Sequence, residues 1–155
     1  MKIYLALILS CVSALAADTN DIRLVTTFGT STEPGILTKI DTFTRAGQAN
    51  LVCNTLTKDG VLQIRTHQFY HDGLLVGEYS TNNLYTYDRS SFISVASAPY
   101  GISFNLDSSN KLSAFVTDTN HLILESYSCT NGIFYPADSS FIANLNGMIK
   151  DKLVH

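Results

Sequence analysis

An all-β protein built of antiparallel hairpins is the fold this sequence of 155 residues predicts. Three observations predict it. Runs rich in Thr, Val, Ile, Tyr and Phe recur along the chain, short turn signals separate them, and nothing suits a long helix before Phe141. The strands expected in order are Ile22 to Phe28, Ile36 to Phe43, Asn50 to Leu56, Val61 to Tyr70, Leu74 to Tyr79, Gly101 to Leu106, Lys111 to Thr117, Leu122 to Cys129 and Ile133 to Tyr135. Between them stand Glu33-Pro34-Gly35, Lys58-Asp59-Gly60, His71-Asp72-Gly73, Asp107-Ser108-Ser109-Asn110, Thr119-Asn120 and Thr130-Asn131-Gly132, residues that tolerate or require the tight backbone of a turn. The last stretch, Phe141 to Leu153, reads two ways. Phe141, Leu145, Met148 and Ile149 fit a helical stripe, whereas Asn144, Asn146 and Gly147 weaken a helix and leave a final strand as the alternative. Propeller-like blades are the first expectation for such a meander and a β-sandwich the alternative.

The first 16 residues read as a secretory signal peptide. Lys2 opens it, Ile3 to Leu9 with Val12 form a short apolar stretch, and Ala14-Leu15-Ala16 suits cleavage next to small residues. The stretch is too short to span a bilayer, which needs about 20 apolar residues. Stable membrane insertion is therefore not expected. Removal of residues 1–16 would leave 17–155 as a single secreted, extracellular β domain of 139 residues, with the formal charge moving from −3 to −4 as Lys2 is lost. Basic residues are outnumbered, 10 against 13, and do not cluster, which argues against nucleic acid. Cys11 would leave with the signal peptide. Cys53 and Cys129 would then enter an oxidising compartment, where they either pair in a disulfide or stay as separately buried thiols. No metal or other cofactor is expected, because no C-x-x-C occurs, and His67 and His71 fall in a strand pattern that holds them about 13 Å apart. Both read as surface or turn histidines.

The hairpins show an internal likeness. Ala49 to Asn54, Leu62 to Phe69 and Gly73 to Ser80 match Gly101 to Leu106, Lys111 to Thr117 and His121 to Ser128 in element order. Tyr79-Ser80 precedes Tyr127-Ser128 by 48 residues, and Ile22-Arg23 precedes Ile64-Arg65 by 42, a period in the range of propeller blades. A partial earlier copy begins at Asp21-Ile22-Arg23-Leu24, which makes about three units. The passages Leu62-Gln63-Ile64-Arg65 with Glu78-Tyr79, and Leu122 to Tyr127 with Asn131 to Tyr135, resemble the repeat of the fucose-binding propeller lectins, in which a strand opening on Ile-Arg is followed by a hairpin and a strand ending in Glu and aromatics. The resemblance implies a sugar held between a guanidinium, a carboxylate and an aromatic ring. It points to Arg65 and Glu78 as the complete pair, with Phe43 as the ring. Arg23 in the first unit and Glu125 in the third each lack their partner, and Tyr85, Tyr100, Tyr127 and Tyr135 are candidates to replace the Trp that the sequence lacks. Arg65 and Glu78 are 13 residues apart, one more than the resemblance implies, so a bulge or a longer turn is required between them. Three blades cannot close a ring, so a homo-oligomer completing the propeller would be needed.

Catalysis is not expected. Glu33, Glu78, Glu125 and the aspartates have no distinctive setting for an acid and base pair, and no G-x-S-x-G elbow occurs. The function that follows is a secreted carbohydrate-binding, lectin-like protein for fucosylated glycans or a glycoprotein. The alternative is a small secreted β protein that binds another protein.

Overall fold

A computed structural model describes residues 18–19, 21–82, 91–94 and 99–153. The proposed signal peptide and Tyr85 lie outside them. The strands are β1 (Asp18–Thr19), β2 (Ile22–Thr30), β3 (Ile36–Arg45), β4 (Gln48–Lys58), β5 (Val61–His71), β6 (Leu74–Asn82), β7 (Ser91–Ser94), β8 (Gly101–Leu106), β9 (Leu112–Thr117), β10 (Ile123–Thr130) and β11 (Ile133–Pro136), followed by the helix α1 (Ser139–Leu153). The all-β expectation holds. Strands β1 to β7 form one antiparallel sheet in chain order, and β8 to β11 form a second.

Among the described residues there is no closed barrel or propeller. The reason lies in the turns. Ala46-Gly47, Asp59-Gly60 and Asp72-Gly73 have positive φ at both positions. That is the two-residue geometry that folds a strand directly back on its neighbour. The pairing continues from β3 to β6 through a register shift in each ladder, so the first two proposed repeat units belong to one sheet and are not separate blades. The repeat read from sequence corresponds to two three-strand meanders, β4-β5-β6 in the large sheet and β8-β9-β10 in the small one. Their matched tyrosines, Tyr79 and Tyr127, are both buried in the core that the sheets share.

The inner face of the large sheet is graded by rung. Leu24, Phe43, Leu51, Phe69 and Gly77 lie opposite one another on β2 to β6, followed by Thr26, Asp41, Cys53, His67 and Tyr79, and then by Phe28, Lys39, Thr55, Arg65 and Thr81. The apolar rung packs on the small sheet. Phe69 meets Tyr127 edge to face at 4.9 Å and Phe134 at 5.2 Å, and Leu112, Ala114 and Val116 complete the cluster.

Helix α1 settles the ambiguous C-terminal stretch. Asp138 caps it, with Oδ1 accepting from the Phe141 N–H at 2.8 Å, and Lys150 and Lys152 sit in the last turn, where cations suit the helix dipole. Asn146, a weak helix former, exchanges two hydrogen bonds with the backbone of Ile123 and so ties the helix to β10. Tertiary contact thus outweighs local propensity. Among the described residues no helix is long and apolar enough to cross a membrane.

Candidate functional site

Three of the four register shifts in the described sheets surround one end of the molecule. Asn50 is the extra residue between the β3–β4 pairs Phe43↔Leu51 and Thr44↔Ala49, Val76 is extra between Phe69↔Gly77 and Tyr70↔Leu75, and Leu124 is extra between Ile123↔Thr117 and Glu125↔Val116. Such bulges re-aim side chains at strand ends. Here they bring Arg45, Asn50, His71 and Glu125 together around a pocket of about 140 Å³, which Gln48, Tyr70 and Asp72 also line.

Glu125 is the centre of the pocket and only 3% exposed. Its Oε2 accepts from Arg45 Nη2 at 3.2 Å and from Asn50 Nδ2 at 3.4 Å. Oε1 faces His71 Nδ1 at 3.6 Å. Arg45 ties four segments together: Nη2 also donates to the Ala137 carbonyl at 2.5 Å, while Nη1 donates to Asp21 and to Ser139 Oγ. Burial raises the Asp21 pKa, but the hydrogen bonds from Ser139 and Arg45 outweigh it and hold the carboxyl below its usual range. Two polar atoms of residues that line the pocket, Arg45 Nε and Asn50 Oδ1, are buried without a hydrogen-bond partner. Asn50 is fixed from its other side, because the Tyr127 hydroxyl donates to its carbonyl at 2.9 Å. Burial, with the Glu125 charge next, lifts the Tyr127 phenol well above its ordinary pKa and keeps it a donor. At the rim, the Tyr100 ring stands edge to face with His71 at 4.8 Å, and its hydroxyl donates to Asp72 at 2.7 Å.

The structure separates the residues predicted as a sugar site. Arg65 and Glu78 are on opposite faces of the large sheet. Arg65 pairs with Thr81 on the inner face, whereas Glu78 lies opposite Gln68 on the outer face and accepts from its amide at 3.1 Å. The bulge at Val76 is the cause. A continuous register from the Asp72-Gly73 turn would place both on one face, and a one-residue slip reverses that. Arg65 instead donates to Thr55 Oγ1 at 3.3 Å and to the Gly132 carbonyl at 3.3 Å, which bolts the β10–β11 turn to the large sheet. Phe43 is buried in the core, edge to face with the half-exposed Tyr135 at 6.0 Å. Arg23 is exposed on β2 opposite Thr44. Of the predicted residues that the structure describes, only Glu125 lines the pocket.

Cys53 and Cys129 are free thiols, Cys53 on the inner face of the large sheet and Cys129 on β10. Burial raises the pKa of each, so neither is a ready nucleophile. His67 is not at the surface. It is fully buried on the same rung as Cys53, and Nε2 accepts from the Phe134 N–H at 3.2 Å. Burial, assisted by the Arg65 charge, lowers its pKa to about 3. The phase of β5 carries the missed signal, since His67 is two residues from the core Phe69 and so shares its face. Comparison with protein-family models, with curated proteins and with solved structures finds no match.

Proposed function

We propose that the protein is a secreted, non-catalytic carbohydrate-binding protein and that the sugar enters the Glu125 pocket. One observation carries the reading: a fixed, buried carboxylate stands beside a second acceptor, Asn50 Oδ1, that has no partner. A buried acceptor left unpaired costs about 1–3 kcal/mol. Adjacent sugar hydroxyls supply two donors at the spacing of a vicinal diol and relieve that cost. The guanidinium and carboxylate expected for sugar recognition are here Arg45 and Glu125, contributed by two different sheets. Tyr100, whose ring stands against His71 at the rim, offers ring surface there, the role the resemblance gives to an aromatic residue. The pocket is smaller than the ~300–1,000 Å³ of drug-sized sites, which fits a single terminal sugar such as fucose rather than a long chain.

A glycan array that includes fucosylated structures tests the reading. Binding by the folded protein is expected, and Asp72→Asn at the exposed rim should change affinity while leaving the melting temperature in place. A folded protein that retains no glycan would overturn it.

A further inference from the structure

A larger cleft runs over the outer face of the small sheet, with the core residues Ile22 and Tyr127 also lining it. It holds about 480 Å³ between the flank of α1 and the outer faces of β9 and β10, a volume within the range of small-molecule sites. Its floor is set by two cross-strand pairs, Ser113 opposite Ser128 and Phe115 opposite Ser126. The wall is apolar. Phe141 and Leu145 line it from the first turns of α1, and Phe141 remains 49% exposed although the next residue, Ile142, is buried against the sheet. The helix therefore covers the sheet with one edge of its apolar stripe and leaves the other edge facing the cleft.

The charges define what the cleft can take. Lys111 lines it, immediately before β9. The lining carboxylate, Asp138, is occupied as the cap of α1, accepting from the Phe141 N–H and from Ser140 Oγ at 2.6 Å. An ammonium group, a row of hydroxyls and an aromatic and aliphatic wall together match a molecule with an anionic head and an apolar body.

We propose that this cleft is a second binding site, independent of the Glu125 pocket, for an amphipathic carboxylate whose apolar body lies against Phe115, Phe141 and Leu145 and whose head pairs with Lys111. Dodecanoate is the probe, titrated calorimetrically into the full secreted chain below its micelle concentration. Saturable binding of one molecule per chain is expected. Lys111→Glu, an exposed substitution, should weaken dodecanoate about tenfold or more while leaving dodecanol unchanged. Ser128→Trp, which fills the floor, should abolish the binding of both, and Asp72→Asn at the other pocket should affect neither. The absence of saturable binding by folded protein, or equal binding by Lys111→Glu, would overturn the assignment. Loss of glycan binding alone would leave it standing, so the two sites fail separately.

Discussion

Two arginines face inward from the large sheet, one toward each end, and the comparison between them separates a binding site from a fastening. Arg45 and Arg65 both bridge the sheets. Arg65 meets only neutral acceptors, the Thr55 hydroxyl and the turn carbonyls of Asn131 and Gly132. Those contacts engage Nε and Nη1, and neither pocket found in the described residues is lined by Arg65. Arg45 meets carboxylates instead, Glu125 and Asp21, in a place where three bulges have opened the sheet edges. The carboxylate beside Arg45 brings charged acceptor capacity for a ligand, which the hydroxyl and carbonyls around Arg65 do not. The surroundings, not the residue type, give each arginine its role.

The largest effect should come from breaking the charged end. Arg45→Ala leaves Glu125 buried without its cation, and removing one member of a buried pair costs about 3–5 kcal/mol. A denaturant titration should show that loss, together with complete loss of glycan binding. Arg65→Gln should cost less, about 1–3 kcal/mol for hydrogen bonds withdrawn from part-buried carbonyls, and glycan binding should survive. If Arg65→Gln abolished binding in a folded protein, the contrast would collapse. Glu78→Ala, on the outer face, should stay within about 0.5 kcal/mol of the parent and bind normally.

Acid should act first through the neighbourhood of Arg65. His67 is held neutral in the folded state, with a pKa of about 3 against 6.5 in an unfolded chain. Between those values the unfolded chain binds the proton and the folded one does not, so this contribution is complete above pH 6.5 and is lost as pH falls toward 3. At ~1.4 kcal/mol per pH unit, the loss from this group is about 2 kcal/mol by pH 5. His67→Gln keeps an acceptor for the Phe134 N–H and removes the titration. The difference in stability between parent and variant should therefore change with pH across that window. A constant difference would show that His67 is not kept neutral by burial.

Most of the fold was legible in the sequence because its turns are chemically explicit. Asp59-Gly60, Asp72-Gly73 and Asn131-Gly132 each supply the positive φ that the hairpin geometry demands, and the strands between them were bounded to within a few residues. The site was less legible because bulges decide it. Whether Arg65 and Glu78 share a face turns on a single inserted residue, Val76, that no spacing rule can locate. Glu125 was recognisable as a strand carboxylate, but its cation comes from a residue 80 positions earlier in the other sheet. Such pairing is fixed only when two sheets pack, and it leaves no local pattern. Cys53 and Cys129 are similar, since sequence alone does not state the relation of two inward residues on different sheets.

A gain in stability is expected at the turn beside Arg45, a hairpin without the Asp-Gly or Asn-Gly signal of the others. Ala46 has φ of 50°, a left-handed conformation that an alanine adopts at a cost, whereas the corresponding positions of the other two-residue turns are Asp59, Asp72 and Asn131. Asn is the residue whose side chain best tolerates that backbone at the first turn position. Ala46→Asn should therefore stabilise the protein by about 1 kcal/mol, read as a small rise in the denaturant midpoint at constant slope. Ala46 also lines the Glu125 pocket, so the same variant reports on binding. Tighter glycan binding together with the gain in stability would show that a more rigid turn improves the site. A gain in stability with weaker binding would mean that the turn must yield for the sugar to enter, and the charged end would then differ from the Arg65 end in mobility as well as in chemistry.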